Sequence, residues 1–286
     1  MEPPTMLARY DRMCDRAAAE VISQYSTSFY LATRFLAPRV RTDVRNLYAM
    51  VRIADEIVDG TARAAGTDAA SLLDAYQAHV LAAPASRFHT DPVLHAWANS
   101  ARRCRFDDEH VAAFFASMRR DLSQSLYDPA DFDAYVYGSA EVIGLMCVAA
   151  FVAEDPVPAS TRAELDEGAR ALGAAFQKVN FLRDLAEDRD DLGRTYFPQL
   201  GDRDIDDTVK AELVADIRAD LARARRAVPL LPKPARGAVA AAEALFAELT
   251  ERIDAIPAAT LYTTRISVPR HRKLYVTARA LRRYRA

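Results

Sequence analysis

The chain has 286 residues, of which 51% are hydrophobic and 27% charged, with 38 Lys and Arg against 40 Asp and Glu for a formal net charge of −2. That composition can bury a sizeable core, which excludes a disordered chain, and its balanced charge offers no bulk attraction to nucleic acid. Three scattered cysteines, Cys14, Cys104 and Cys147, are too few for a disulfide framework or a cysteine-based zinc site.

Ala, Leu, Arg and Glu dominate, and no stretch alternates with period two for long, so almost every segment reads as helix. In chain order, helices are predicted at 6–35, 42–59, 68–82, 91–103, 107–125, 131–153, 160–188, 206–227, 234–256 and 268–284, with loops at 60–67, 189–205 and 229–234. Start signals stand at Asp107 ahead of Glu109 and at Thr161 with Glu164, a capping-box pair, while Gly60 stands where a glycine would end the second helix. No repeat or linker divides the chain, so residues 1–286 read as one all-α domain. Met1-Glu2-Pro3-Pro4 lacks the basic and apolar segments of a signal peptide. The longest apolar run, Val142 to Ala153, is shorter than the ~20 residues of a membrane span. The expectation is a cytoplasmic protein without signal peptide or transmembrane helix.

In the helix at 42–59, the apolar stripe runs through Val44, Leu47, Val51 and Val58, and Asp55 falls within it. Tyr48, Arg52 and Asp59 line one edge. Burying charge costs several kcal/mol, about 3–5 when a partner is missing, so these groups need partners. Arg52 in an internal ion pair with Asp55 or Asp59 is one solution.

The helix at 160–188 points to another. Gln177, Asn180, Asp184 and Asp188 stand at i, i+3, i+7 and i+11 and share one face, repeating the Asp-x-x-x-Asp spacing of the first block. Two inward aspartate pairs on separate helices resemble jaws for a hard cation. Oxygen-only ligands favour Mg²⁺ or Mn²⁺ over zinc, and Mg²⁺ commonly bridges carboxylates to substrate phosphates. Arg52 and Arg183 beside the jaws would meet phosphate oxygens. A di-iron bundle needs Glu-x-x-His motifs, and none of His79, His89, His95, His110 or His271 supplies one. These histidines read as surface or packing residues.

From Ala255 onward there is no acidic residue, while Arg265, Arg270, Arg272, Lys273, Arg279, Arg282, Arg283 and Arg285 are basic. Leu274, Ala278 and Leu281 share a face of the last helix. An amphipathic basic end could rest on anionic lipid; an ordinary terminal helix with cations near its C-terminus is the plainer reading.

Tyr25-Ser-Thr-Ser-Phe29, Leu47-Tyr-Ala-Met-Val-Arg52-Ile-Ala-Asp55-Glu-Ile-Val-Asp59, and Gln177 through Asp188 followed by Gly193-Arg-Thr-Tyr-Phe-Pro198 resemble the squalene/phytoene synthases, the head-to-head trans-isoprenyl diphosphate synthases. The resemblance covers roughly residues 10–285, and the wording of both blocks is most similar to actinobacterial phytoene synthases. It implies a single isoprenoid-synthase helical bundle around a central cavity. The implied reaction is a Mg²⁺-dependent condensation of two geranylgeranyl diphosphates to phytoene through a cyclopropylcarbinyl (prephytoene) diphosphate, without NADPH. Asp55, Asp59, Asn180, Asp184 and Asp188 are the implied metal ligands, the four aspartates being the catalytic set. Tyr48, Arg52, Gln177 and Arg183 would contact the diphosphates, Tyr25, Ser26, Thr27 and Ser28 would line their site, and Arg265 and Lys273 match basic residues that help hold them.

Departures are small. Glu56, Ala186 and Val51 stand where Asp, Gly and Cys are frequent, and Phe246 where some relatives have tyrosine. Phe29, Tyr30, Tyr135, Tyr137, Phe176 and Phe181 are candidate lining residues or plain core. Gly138 and Gly144 either let a substrate chain pass close to backbone or serve tight helix packing. The segment Arg189–Gly201, with Asp190, Asp191, Arg194 and Tyr196, reads as a closing flap or a solvated loop.

Alternatives remain in substrate and role. The same fold could take farnesyl diphosphate to squalene, dehydrosqualene or hydroxysqualene. A non-catalytic scaffold would be expected to have lost metal-binding aspartates, and a cyclase or chain-elongating enzyme usually carries Asp-Asp-x-x-Asp. The implied partners are prenyl diphosphates, with no nucleic acid; peripheral membrane contact for product release belongs to the lipid reading of the basic end.

Overall fold

The computed structural model describes residues 5–186, 196–200 and 203–284, and among these there is no strand. The expected first helix is two: α1 (Met6–Tyr25) and α2 (Thr27–Thr33). Ser26 divides them, with an extended backbone at φ −143° and its side-chain oxygen accepting the Phe29 amide. Local capping by a serine thus outcompetes helix continuation. α3 (Pro38–Val58) starts earlier than expected, because Pro38 supplies a preset φ in the first turn. It ends at Val58 with Asp59 as its cap, before Gly60 at φ +119° turns the chain into the four-residue α4 (Thr61–Ala64), a segment expected as loop.

α5 (Ala69–Ala82), α6 (Pro92–Cys104) and α7 (Asp108–Asp121) follow, each with an aspartate cap at its start. α8 (Pro129–Val136), a π-helical turn over Tyr137–Glu141 and α9 (Val142–Val152) form one continuous helical stretch, then α10 (Ala159–Arg183). The Thr161–Glu164 capping box does not form: α10 begins at Ala159 behind Pro158, leaving Thr161 inside the helix. It also stops at Arg183, short of the expected 188. α11 (Asp207–Ala227), α12 (Lys233–Asp254) and α13 (Arg270–Arg283) complete the chain.

Two large apolar clusters hold the bundle. In one, the C-terminal half of α10 (Val179, Leu182) meets Ile217 of α11 and Leu249 and Ile253 of α12. In the other, Leu47 and Met50 of α3 meet Trp97, Phe114, Phe115 and Met146. Each fully buried aromatic is worth about 3–5 kcal/mol against truncation to alanine. The stretch Pro129–Val152 is long and apolar enough to cross a membrane by length and composition. It lies against α7 and α10, with Val142 and Met146 fully buried. Its glycines serve that packing: a Cβ on Gly138 would stand 2.3 Å from the Ala113 carbonyl oxygen, and one on Gly144 2.5 Å from that of Ala169. Both therefore fit the tight-packing reading.

Candidate active site

Phe29 of α2 packs against the first of these clusters, and the polar blocks lie around the α1–α2 break. On the α3 side, Asp55 is 3.8 Å from the Arg52 guanidinium. Burial, and then the neighbouring Asp59, push the Asp55 carboxyl up to about 8. Arg52 also bonds Glu56, which in turn accepts the Thr61 hydroxyl, and its guanidinium lies 4.3 Å over the Tyr25 ring. Glu56 thus holds Arg52 in place, a role its status as a neutral departure did not suggest. Tyr48 sits among Arg52, Asp55 and Ser26, and burial raises its hydroxyl to about 12.

On the α10 side, Arg183 Nε donates to Asp184 Oδ1 at 2.9 Å, and Arg265 Nε lies 2.8 Å from the same oxygen. Lys273, on α13, donates to Ser28 Oγ at 3.0 Å. Burial lowers its pKa, with the nearby Arg183 and Arg270 charges adding to the effect. The Tyr25–Ser28 turn therefore joins the two halves, since Tyr25 and Ser26 face the α3 block while Thr27 and Ser28 face Lys273. Arg265, 81 residues downstream of Asp184, and Lys273, 245 residues downstream of Ser28, enter by tertiary packing alone.

Gln177 and Asn180 are half-buried on α10. Asp188, and with it Asp190, Asp191 and Arg194, lies outside the described residues. Among the described residues no three carboxylate, histidine or cysteine side chains converge on one point. The donor set nonetheless fits a hard divalent cation. Asp55, Asp59, Asp184 and Asn180 offer only oxygen, and Asn180 Oδ1 is buried with no hydrogen-bond partner among the described residues.

One group was missed in the sequence. Asp121, only 9% exposed, accepts the Tyr135 hydroxyl at 2.9 Å and the Tyr196 hydroxyl at 3.1 Å, and its charge is felt at Asp55. Its signal was there to be read. Val111, Phe114, Met118 and Asp121 follow i, i+3, i+7, i+10 and share the buried stripe of α7. Burial and the Asp121 charge keep the Tyr135 pKa well above its ordinary value, so it remains a hydroxyl.

Of the lining candidates, Phe176 stacks on Phe246 at 3.8 Å and Phe29 lies 5.7 Å from both. Phe181 stacks on Tyr196 at 4.0 Å. Tyr30 and Tyr137 instead lie under Arg45 and Arg170. His95 is fully buried and bonded to Asp11 at 2.7 Å, a packing role as expected.

The family model described as squalene/phytoene synthase matches residues 22–272. Phytoene synthase 3, chloroplastic, of Zea mays is 30% identical over 277 residues, covering 91% of this chain and 64% of its own length. The 15-cis-phytoene synthase of a Paracoccus species is 33% identical over 187 residues, covering 63% and 59%. The chain thus spans less than two thirds of the length of these curated relatives. Among solved structures, a dehydrosqualene synthase in complex with ligand superposes with a TM-score of 0.78 at 20% identity, over 98% of this chain and 99% of that one. A squalene synthase from Alicyclobacillus acidocaldarius does so at 0.72 and 23%, over 88% and 95%. The fold is that of the all-α isoprenoid synthases, and the chain belongs to the squalene/phytoene synthase family of prenyltransferase-type enzymes.

Proposed function

We propose that this protein joins two geranylgeranyl diphosphates head to head to give phytoene, with Asp55, Asp59, Asn180, Asp184 and Asp188 holding Mg²⁺. The observation that carries the reading is the union of the two aspartate blocks, each beside its own arginine, through the Tyr25–Ser28 turn and Lys273. The choice of the twenty-carbon substrate rests on relatives named phytoene synthase at 30–33% identity.

Bound there, Mg²⁺ would act as a Lewis acid toward the leaving diphosphate. Arg52, Arg183, Arg265 and Lys273 bind the diphosphate oxygens, Arg265 and Arg183 turning from Asp184 to do so. Tyr48 and the hydroxyls of Ser26 and Ser28 orient them. The chain's aromatic wall of Phe29, Phe176 and Phe246 excludes water from the allylic cation and offers it ring faces. The released hydrocarbon is insoluble in water, and the basic α13, with Leu274 and Tyr275 exposed, is the surface that would rest on anionic lipid.

The test is a product assay on purified protein with Mg²⁺ and detergent, supplying geranylgeranyl or farnesyl diphosphate separately, with and without NADPH. Phytoene from the twenty-carbon substrate without reductant is expected. A thirty-carbon product made only from farnesyl diphosphate would overturn the substrate assignment, and no product from either would overturn the catalytic one in favour of a scaffold.

A further inference from the structure

A polar cavity of about 350 Å³ opens where α1, α3 and α6 meet, lined by charged and amide side chains. It is distinct from the aspartate site. Asn46, which lines it, is nine residues before Asp55, roughly 14 Å along α3 and on the opposite side of the helix. Its floor is a built network. Asn46 Nδ2 donates to Asp15 Oδ1 at 3.0 Å and to Ser100 Oγ at 3.0 Å, and Ser100 donates to Asp43 at 2.7 Å. Asp43, Asn46 and Ser100 are each 1% exposed, and Arg103 is ion-paired with Asp43.

Two kinds of valence are left over. Among the described residues Asn46 Oδ1 is buried without a hydrogen-bond partner, and so are Arg103 Nε and Nη2, the latter held against Asp43 as an ion pair, so one acceptor and the Nε donor are unmet. The amide orientation is fixed by the carboxylate and the Ala96 carbonyl that its nitrogen serves. At the mouth, Arg39 and Arg87 are exposed and make no hydrogen bond or ion pair among the described residues. The three aspartates of the cavity are all engaged: Asp11 by His95 and Asn99, Asp15 by Asn46 and, through charge alone, by Arg39, and Asp43 by Ser100 and Arg103. Arg102, tied to the carbonyls of Pro84 and Ser86, fixes the loop that carries Arg87 and feels that second guanidinium as a like charge.

We propose that this cavity is a second anion site that takes a partly protonated phosphate group, as inorganic phosphate, diphosphate or a phosphate monoester. Its oxygens would meet Arg39, Arg87 and Arg103 Nε, and its hydroxyl would supply the hydrogen that Asn46 Oδ1 lacks. A fully ionised anion such as sulfate offers no such hydrogen and would bind less well.

The experiment is calorimetric titration of the full chain in Mg²⁺-free buffer with chelator, using inorganic phosphate, diphosphate, glycerol phosphate and sulfate in separate arms. An Arg183→Ala/Lys273→Ala background removes anion contacts of the aspartate site. In that background a phosphate-bearing arm should still bind and sulfate should bind less tightly, the strongest arm naming the source. Adding Arg39→Ala/Arg87→Ala, two exposed positions with no hydrogen bond or ion pair among the described residues, the fold being checked by circular dichroism, should weaken that binding by about tenfold or more. No binding in the background protein, or binding indifferent to Arg39 and Arg87, would overturn the proposal.

Discussion

Asp121 illustrates how a single carboxylate can order a site without entering the motif that identifies it. Clamped between the hydroxyls of Tyr135 and Tyr196, it fixes two aromatic side chains packed against Phe181 and adds negative charge toward Asp55. Asp121→Asn should lower kcat by about 10- to 100-fold with KM little changed, because it disturbs positioning rather than diphosphate binding. Asp121→Ala should also destabilise the fold by about 1–3 kcal/mol, having left two buried hydroxyls short of an acceptor. Steady-state kinetics and thermal melts separate the two effects. Asp55 gives a pH prediction. Its folded pKa, pushed up to about 8, exceeds the ordinary aspartate value, so the folded state holds a proton that the unfolded state has lost. In chelator, stability should therefore fall as pH rises through the window between the ordinary value and 8. Asp55→Asn should flatten that dependence, and an unchanged slope of Tm against pH in the variant would contradict the assignment.

At the scale of elements, the break at Ser26 is what makes the site. A continuous helix over 6–35 would carry Tyr25 and Ser28 around one axis, whereas the serine cap redirects the chain so that the turn reaches both aspartate blocks. Ser26→Ala should cost about 1 kcal/mol in stability and a larger share of activity, checked by melts and turnover together. Gly138→Ala should cost about 1–3 kcal/mol by forcing the π-helical turn away from Ala113, readable as a lowered midpoint in urea. Much of this level was legible in the residues. The all-α class and the inward Asp55 of α3 follow from composition and a 3.6-residue period, whereas α10 ends at Arg183 so that Asp184 caps the helix, and Asp188 lies outside the described residues. The serine break was hidden because the surrounding residues favour helix and Ser-Thr-Ser reads as a cap only once the chain has turned. The Thr161–Glu164 box failed for the converse reason, since Pro158 had already set the helix start.

Across the whole molecule, the site depends on contacts that no local pattern encodes. Lys273 reaches Ser28 across 245 residues, and Arg265 reaches Asp184 from the segment before the last helix. Family resemblance pointed to both basic residues, but spacing alone could not say which hydroxyl or carboxylate they would meet. Asp121, Tyr135 and Tyr196 likewise come together only through packing of α7, α8 and the segment at 196–200. Ending the chain before Arg270 should therefore abolish turnover even with every aspartate in place, while the α3 and α10 helices persist in circular dichroism. The central claim is that the two blocks act as one magnesium-diphosphate site. The direct measurement is Mg²⁺-dependent turnover of geranylgeranyl diphosphate by the wild type, Asp55→Asn, Asp184→Asn and the double variant, all shown to be folded. Each single change should cost about 100-fold or more, and the double little beyond either, as for groups that work as a unit. Full activity in both single variants would contradict the account.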